Sequence, residues 1–224
     1  MSTAGQAAPR RLAVFDLDGT LSKADTFGPF VVGLLRRHPL RALRLPLLIF
    51  PCMGFVLRLV SRGGLKGSVM HLLFGGLPRE AVDAWAALYA SLVVPERLFA
   101  EALAALRNHL AAGDHVVLLS ASPDLYVPHI GAMLGVRETL CSEVRWNGQR
   151  LDGRLGGPNR RDQEKLRVLE QLRQRHPGLS VIAYGNSSAD LPHMFRCEQA
   201  VYVNPSASVA RELTQRGFTC VHWR

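Results

Sequence analysis

Two aspartates directly after an apolar run are the residues in this chain best suited to chemistry. Asp16 and Asp18 follow Leu12–Phe15 and precede a turn at Gly19 and Thr20. One carboxylate of such a pair can attack phosphorus and form an aspartyl-phosphate, while the other protonates the leaving oxygen and later activates water. A helix cap with an Asp-Gly turn would explain Asp18 alone. It would not explain a pair of carboxylates at the end of a strand.

Other polar side chains occur at the ends of later segments. Ser120 closes a second apolar run, Lys165 begins a helical segment, and Asn186 and Asp190 follow a third apolar run. A lysine can neutralise a transferring phosphoryl group, and oxygen ligands are what Mg²⁺ prefers. Singly, these residues are ordinary turn, cap or solvated residues. Together, in this order, they predict an active site.

Other candidate motifs do not meet the requirements of their chemistry. Gly63–Ser68 is glycine-rich but lacks Walker spacing and follows no strand. The eight histidines include no His-x-x-x-His pair, and the four cysteines lie far apart, which argues against a zinc site or a disulfide framework. Ser122 has no evident base partner for a role as nucleophile.

The pattern of apolar runs predicts the fold that positions these residues. Four runs are typical of buried parallel strands: Leu12–Phe15, Val116–Leu119, Val181–Tyr184 and Ala200–Val203. Segments with helical periodicity alternate with the last three: Asp124–Leu134, Glu164–Arg175, Ser188–Arg196 and Ser206–Gln215. This alternation predicts an α/β, Rossmann-like, doubly wound parallel sheet, whose strands end at the ligand crevice.

A long interval separates the first two strands and predicts an inserted cap. Helical periodicity over Pro78–Leu92 and Pro95–Ala112 indicates that the interval is helical. We therefore predict a catalytic core of residues 1–24 and 113–224, with a helical cap of residues 25–112. A second, shorter insert at Glu143–Leu155 carries an Asn-Gly turn and predicts a hairpin.

Within the predicted cap, Leu45–Leu57 contains no charged residue and has arginines on both sides. Its 13 residues would reach only ~20 Å as a helix, and Pro46 and Pro51 interrupt it, so a membrane span is not expected. Two readings remain open at this stage. The segment either lies in the headgroup region of a membrane or forms the buried part of the cap.

The net charge of +9, from 27 Lys+Arg against 18 Asp+Glu, favours an anionic partner. Phosphorylated small molecules and anionic lipid both fit, whereas the chain shows no zinc-finger or RNA-binding signature, and no nucleic-acid partner is expected. Since no secretory signal is visible, we predict a cytoplasmic protein that can contact the inner face of the cytoplasmic membrane peripherally.

The motifs Asp16-Leu17-Asp18-Gly19-Thr20 and Gly185–Asp190, with Ser120 and Lys165 between them, resemble those of the haloacid dehalogenase-like phosphatase superfamily, in its phosphoserine-phosphatase-like branch. Within that branch the chain is similar to the bacterial phosphatidylglycerophosphatase C family. The similarity is concentrated in Phe15–Leu47, around Lys165, and in Tyr184–Pro205.

The resemblance implies roles for the motif residues. Asp16 would be the nucleophile and Asp18 the general acid and base. Mg²⁺ would be bound by Asp16, the Asp18 carbonyl and Asn186, with Asp190 supporting it through water. The phosphate would be held by Ser120 and Lys165 together with Gly19, Thr20 and Ala121.

Two departures from the family pattern bear on activity and substrate. Asn186 stands where the family usually has an aspartate, which removes a charge that would favour Mg²⁺. Asp25 stands where phosphoserine phosphatases have a glutamate that meets the substrate amino group, although it can equally cap the first cap helix.

These features together predict a Mg²⁺-dependent phosphatase that acts through an aspartyl-phosphate on a phosphomonoester. We expect its substrate to be a lipid phosphate such as phosphatidylglycerophosphate. The alternatives are a soluble phosphatase acting on a small metabolite and a non-catalytic relative that binds phosphate or lipid.

Overall fold

The computed structural model describes residues 10–224 and contains one large parallel sheet. Its six strands lie in the order β3-β2-β1-β6-β7-β8, so the strand that precedes the aspartate pair is central. Their bounds are β1 Arg11–Phe15, β2 His115–Pro123, β3 Glu138–Ser142, β6 Ser180–Gly185, β7 Gln199–Val203 and β8 Thr219–Val221. The predicted Rossmann-like α/β class is confirmed, and all four predicted strands are present.

Alternate residues of β1 pack on opposite faces of the sheet, as the period of a strand requires. Leu12 and Val14 belong to a cluster with the three helices that follow the hairpin insert, and Ala13 and Phe15 belong to a second cluster on the other face. Those three helices are α7 Gln163–Arg175, α8 Leu191–Met194 and α9 Ala207–Gln215. The run is therefore apolar without alternation because both of its faces are covered.

Five α-helices and a 3-10 helix lie between β1 and β2, so this interval is helical, as predicted. They are α1 Phe27–Arg37, a 3-10 helix at Pro39–Leu48, α2 Ile49–Val56, α3 Arg62–Phe74, α4 Arg79–Arg97 and α5 Ala100–Ala111. Pro95 lies inside α4 and does not begin the next helix, so the predicted boundary there was wrong. The division into core and cap stays a prediction, and residues 1–9 of the predicted core lie outside the described residues.

An aromatic cluster joins the helices of the cap to α6 Val127–Met133. Phe30 packs with Tyr89 and Tyr126 at ring-centroid distances of 5.4 and 4.6 Å. The Trp85 indole donates to the Phe30 carbonyl at 3.0 Å, so its polar atom is satisfied inside the cluster. This part of the cap is packed like a protein core.

The predicted hairpin is present as β4 Val144–Asn147 and β5 Arg150–Leu155, an antiparallel pair. Asn147 pairs with Arg150, so the turn residues are Gly148 and Gln149 and not the predicted Asn147 and Gly148. Gly148 has φ +57°, as the first central position of a II′ turn requires. Gly153 of β5 lies against the backbone of α3: a Cβ there would come within 2.6 Å of the His71 nitrogen. The hairpin therefore packs on the cap helix that borders the active-site crevice.

The uncharged stretch of the cap is exposed. Every residue of the 3-10 helix and of α2 is at least partly exposed, and Phe50, Val56 and Leu59 are 70, 77 and 79% exposed. The alternative that Leu45–Leu57 forms the buried part of the cap was therefore wrong. Pro39–Val56 is one helical stretch of 18 residues with mean hydropathy 1.4, which is sufficient by length and composition to cross a membrane. We call residues 39–59 the exposed segment.

Two predicted helices are shorter than expected. Ser188–Arg196 contains only the single turn of α8, and Asp124–Leu134 contains α6, which begins at Val127. Pro192 and Pro128 lie in the first turns of these helices, where proline is tolerated and helices commonly begin.

Candidate active site

The carboxyl ends of the central strands bring the predicted catalytic residues together. Asp16 follows β1 and Asn186 follows β6, and these two strands pair in parallel from Arg11 to Phe15. The Asp16 amide donates to the Tyr184 carbonyl at 3.1 Å, which continues the pairing one residue beyond the strand. The two side chains therefore project from the same edge of the sheet.

A cavity of ≈ 450 Å³ lies at this edge, between the sheet and the cap. Seven of the predicted site residues line it: Asp16, Asp18, Asp25, Ala121, Lys165, Asn186 and Asp190. The remaining three predicted residues, Gly19, Thr20 and Ser120, do not line the cavity.

Lys165 connects two of the lining carboxylates. Its ammonium donates to Asp16 Oδ1 and to Asp190 Oδ1, both at 2.6 Å, and the side chain is 3% exposed. Burial alone would lower the pKa of Lys165, but the two carboxylates outweigh it and raise this pKa above its usual range. Lys165 is therefore a permanent cation at the bottom of the site.

The two carboxylates that contact Lys165 differ in their surroundings. Burial would raise the pKa of Asp190, but Lys165 and the Ser187 hydroxyl bring it to about 2. Burial raises the pKa of Asp16 to about 7, with Asp190 and Asp18 adding to the shift and Lys165 opposing it. A second cation near Asp16 would restore its ionised form.

Asp18 is oriented by residues of the cap and of β2. Its Oδ1 accepts from the amide and the hydroxyl of Thr26 at 2.7 and 2.6 Å, and its Oδ2 accepts from Ser122 Oγ at 2.6 Å. Thr26 Oγ1 also lies 2.9 Å from the Tyr126 hydroxyl. Ser122, which the sequence offered no reason to include, therefore positions Asp18 and is not a nucleophile.

Thr20 joins Asp16 to Asn186 from beneath the cavity. Its hydroxyl contacts Asp16 Oδ2 at 3.0 Å and Asn186 Oδ1 at 3.2 Å. Gly19 has φ +80°, and a Cβ there would collide with the Asn186 side-chain amide. The turn therefore requires glycine both for its backbone conformation and for the close approach of Asn186.

Ser120 is completely buried, and its Oγ accepts from the Ser122 amide at 3.0 Å. Asp25, by contrast, is exposed at the mouth of the cavity, where its Oδ2 accepts from the Gly28 amide at 2.8 Å. Asp25 thus both lines the cavity and caps the beginning of α1. The interpretation as a substrate-contacting residue and the interpretation as a helix cap are therefore compatible.

The cap adds cations that were missed in the sequence. Lys66 of α3 donates to the Ala121 carbonyl at 2.6 Å and lines the cavity with Arg62 and with Arg161 of the loop before α7. Burial lowers the pKa of Lys66, with Asp18 and Asp25 opposing the shift. Lys66 lies in Gly63–Ser68, the glycine-rich segment that does not have the spacing of a phosphate loop. It becomes a site residue only because α3 packs over the crevice.

The charges that line the cavity balance. Four carboxylates face four cations, and the lining members are Asp16, Asp18, Asp25 and Asp190 against Arg62, Lys66, Arg161 and Lys165. A dianionic phosphate together with a divalent cation would leave this balance unchanged. The lining therefore offers cations that could contact an anionic group and carboxylates that could hold a divalent cation.

The family of the chain follows from its match to known proteins. Residues 13–194 match the profile of the haloacid dehalogenase-like hydrolase family. The chain belongs to this family. The matched range runs from β1 to α8 and includes Asp16, Lys165 and Asp190. The protein is thus a haloacid dehalogenase-like hydrolase.

Other proteins and solved structures are similar to the chain in sequence or in fold. Protein CicA of Caulobacter vibrioides is 31% identical over 182 residues, which cover 80% of this chain and 79% of that protein. A Bordetella pertussis Tohama I protein with unknown function has a TM-score of 0.78 at 23% identity, covering 96% of this chain and 99% of the other. A phosphoserine phosphatase bearing a phospho-aspartyl intermediate analogue has a TM-score of 0.62 at 16% identity, over 96 and 94%.

Proposed function

We propose that this protein hydrolyses a phosphomonoester by way of a phosphorylated Asp16. The observation that carries the proposal is the position of Asp16, which lies on the cavity with Lys165 at 2.6 Å and a second carboxylate two residues away. A carboxylate nucleophile needs a neighbouring cation, because it must approach a phosphate of the same charge. Lys165 would supply that cation.

In the first half-reaction an Asp16 carboxylate oxygen attacks phosphorus, and the bond to the substrate oxygen breaks. Asp18, entering in its protonated form, gives its proton to that leaving oxygen. In the second half-reaction Asp18 takes a proton from water, and the resulting hydroxide attacks the aspartyl-phosphate. Phosphate leaves, and Asp16 and Asp18 return to their starting states. Thr26 and Ser122 would hold Asp18 in the orientation that serves both steps.

Oxygen donors suited to Mg²⁺ are present beside Asp16. The Asp16 carboxylate and the Asn186 amide oxygen both contact the Thr20 hydroxyl and both line the cavity, so they fit the proposed ligand set. The Asp18 carbonyl and Asp190 would complete it. When bound, Mg²⁺ would offset the repulsion between nucleophile and phosphate. Asn186 contributes an oxygen without a charge, so we expect weaker metal affinity than an aspartate would give.

The exposed segment supports a lipid phosphate as the substrate. Ten large apolar side chains of this segment are 44–82% exposed: Leu40, Leu43, Leu45, Leu47, Ile49, Phe50, Met53, Val56, Leu57 and Leu59. A contiguous apolar surface of this kind marks an interaction site, and adjacent arginines favour anionic lipid. Arg41 fixes the segment to the end of α3 by donating to the Leu73 and Gly75 carbonyls at 2.9 and 3.0 Å.

The exposed segment also reaches the active site. Phe55 of α2 lines the cavity together with Leu65 and Val69 of α3, so one wall of the cavity is apolar. A lipid held at the membrane surface could place its acyl chains along this wall and its phosphate at Asp16. We therefore propose peripheral binding to the inner face of an anionic cytoplasmic membrane and a substrate such as phosphatidylglycerophosphate.

The first experiment measures phosphate release from phosphatidylglycerophosphate in mixed micelles, with and without Mg²⁺, for the wild type and Asp16→Asn. Metal-dependent release that Asp16→Asn abolishes would support both the chemistry and the lipid. Hydrolysis of an aryl phosphate without release from the lipid would retain the chemistry and reject the lipid. Inactivity on both would reject the catalytic proposal, and activity gained in Asn186→Asp would then support a non-catalytic relative.

A soluble small metabolite is the second candidate substrate. The fold likeness to phosphoserine phosphatases and the carboxylate of Asp25 at the mouth of the cavity favour it. A panel of soluble phosphomonoesters distinguishes the two candidates. A specificity constant for one soluble ester that exceeds that for the micellar lipid would favour the metabolite.

Flotation with anionic liposomes tests membrane binding directly. We expect the wild type to float and the double variant Phe50→Ser, Met53→Gln to float less. A matched control is Leu88→Ser, Met133→Gln, because Met133 is 51% exposed and Met53 is 53% exposed, yet Leu88 and Met133 lie outside the exposed segment. Equal flotation of the two double variants would contradict a docking role for the segment.

A further inference from the structure

A second cluster of polar side chains lies at the opposite end of the sheet from the active site. His115 begins β2, Glu138 begins β3, and His176 follows α7. One ligand atom from each of the three residues lies within 4.8 Å of the other two. Ser120, at the active-site end of β2, is five residues from His115, or about 17 Å along the strand.

The topology of the fold explains why these residues meet. Strands β2 and β3 are parallel neighbours, and Val117 pairs with Glu138, so both strands start at the same edge. Helix α7 packs on this face through Leu169 and Leu172, beside Val117 in the same apolar cluster. Because α7 leads into β6, its carboxyl end must lie where the strands begin, and His176 follows that end.

The contacts within the cluster leave one carboxylate oxygen facing the imidazoles. His115 Nε2 lies 2.8 Å from Glu138 Oε2, while Glu138 Oε1 accepts from Arg175 at 2.6 Å. The rings of His115 and His176 have centroids 4.3 Å apart. The side chains of His115 and Glu138 are 18 and 17% exposed, so an ion from solvent can reach them.

The alternative interpretation of this cluster is an ion pair that serves the fold alone. A His115–Glu138–Arg175 ion pair would account for the carboxylate but not for the second imidazole.

We propose that His115, Glu138 and His176 bind a transition-metal cation of the Zn²⁺ type, at a site separate from the catalytic cavity. Two imidazoles and one carboxylate are a known three-ligand set for zinc, with water in the fourth position. Bonds of about 2.0–2.2 Å require ligand atoms closer than they now lie, and side-chain rotation can supply that approach. Imidazole ligands favour zinc over Mg²⁺, so the two sites would select different metals.

Such a metal would join strands β2 and β3 to α7, the helix that carries Lys165. Arg175 would remain hydrogen-bonded to the outer oxygen of Glu138 and hold the carboxylate in place, as supporting groups around metal ligands do. Since binding to the native state stabilises it by mass action, the expected readout is thermal stability and not turnover.

The test is a calorimetric titration of the EDTA-treated, metal-free full chain with Zn²⁺ in excess Mg²⁺. We expect one Zn²⁺ per chain, and at a free concentration of 100 times Kd an increase in Tm of about 5–10 °C. His176→Asn, at an accessible position after α7, should bind at least about tenfold more weakly. His222→Ala, at an exposed histidine elsewhere, is the matched control and should bind as the wild type does.

A cobalt titration provides a second readout, since four-coordinate Co²⁺ with imidazole ligands absorbs visible light much more strongly than Co²⁺ in an octahedral site of oxygen ligands. Loss of this absorption in His115→Ala and His176→Asn, with circular dichroism unchanged, would support the site. The proposal is overturned if Zn²⁺ does not bind, or if Asp16→Asn abolishes binding while His176→Asn leaves it intact. The second result would place the zinc in the catalytic cavity.

Discussion

The catalytic edge of the sheet and the exposed segment of the cap depart from ordinary protein surfaces in opposite ways. At the catalytic edge, charged side chains are buried: Asp16, Lys165 and Asp190 are 7, 2 and 1% exposed. In the exposed segment, apolar side chains such as Leu40 and Leu43 are 82 and 80% exposed. Charged residues are rarely buried and large apolar patches rarely exposed, so each arrangement costs stability that packing elsewhere must offset. Both regions therefore depart from the arrangement that stability alone would favour.

The two regions also differ in how they respond to substitution. A buried ion pair leaves an uncompensated charge when one partner is removed, so the catalytic edge should be sensitive to single changes. Exposed apolar side chains make few contacts, so the exposed segment should tolerate polar substitutions in solution.

Replacement of the nucleophile should have the largest effect. We expect Asp16→Asn to lower kcat by about 10⁴-fold or more, because the amide retains the shape but cannot form the aspartyl-phosphate. Phosphate release from an aryl phosphate measures this without assuming the lipid. Near-wild-type turnover in Asp16→Asn would assign the nucleophile to another residue.

Removal of the buried cation should destabilise the fold. Lys165→Met leaves Asp16 and Asp190 without their shared partner, and we expect a loss of about 3–5 kcal/mol in the free energy of unfolding. Denaturant titration monitored by circular dichroism measures it. Arg167→Met on the same helix is the control, because the Arg167 side chain is 64% exposed. Equal losses in both variants would show that Lys165 is not a buried structural charge.

Acid should weaken the fold through His193. This side chain is 1% exposed, and burial lowers its pKa from 6.5 to about 3, with Lys165 adding to the shift. In the unfolded chain His193 is therefore protonated below pH 6.5, whereas in the folded chain it stays neutral until about pH 3. Stability falls as pH decreases through this window, by roughly 2 kcal/mol between pH 6.5 and pH 5.

The variant His193→Gln isolates this contribution, since glutamine does not titrate. We expect the unfolding free energy of this variant to fall less between pH 6.5 and pH 5 than that of the wild type. The measurement is denaturant unfolding at several pH values in constant ionic strength. Parallel pH profiles for the two proteins would exclude His193 as the source of the acid sensitivity.

The smallest effect on stability is expected in the exposed segment. Phe50→Ser with Met53→Gln should change the free energy of unfolding by no more than about 0.5 kcal/mol. The same pair should reduce partitioning to anionic liposomes by about tenfold or more, because the proposed membrane-binding surface loses two apolar side chains. A large loss of stability would instead show that these side chains pack against the protein.

The central sheet and the first motif were predictable because their determinants are local. Strands β1, β2, β6 and β7 are covered on both faces and are therefore continuously apolar. The edge strands β3 and β8 were missed: β3 begins with Glu138 and a threonine, and β8 has only three residues. Short, half-exposed edge strands lack the continuous apolar pattern on which the prediction depended.

The residues that surround the predicted catalytic groups, such as Lys66 and Ser122, could not be predicted from the sequence. They reach the site only through contacts between distant elements. Lys66 reaches Ala121 over a separation of 55 residues, and Ser122 reaches Asp18 over 104. The histidine cluster shows the same limit. His115 and His176 lack the His-x-x-x-His spacing of one helix, and they meet only because α7 returns to the edge where β2 begins.

The α/β class, the carboxylate pair at Asp16 and Asp18, and the order of the other polar groups could be predicted from the amino-acid sequence. These follow from apolar periodicity and from the placement of polar residues at strand ends. Whether the uncharged segment is buried or exposed depends on tertiary packing, because its composition suits a protein core and a membrane surface equally. Among residues 10–224 the segment contacts α3, yet its large apolar side chains remain exposed. No local pattern in a sequence encodes which surfaces remain uncovered.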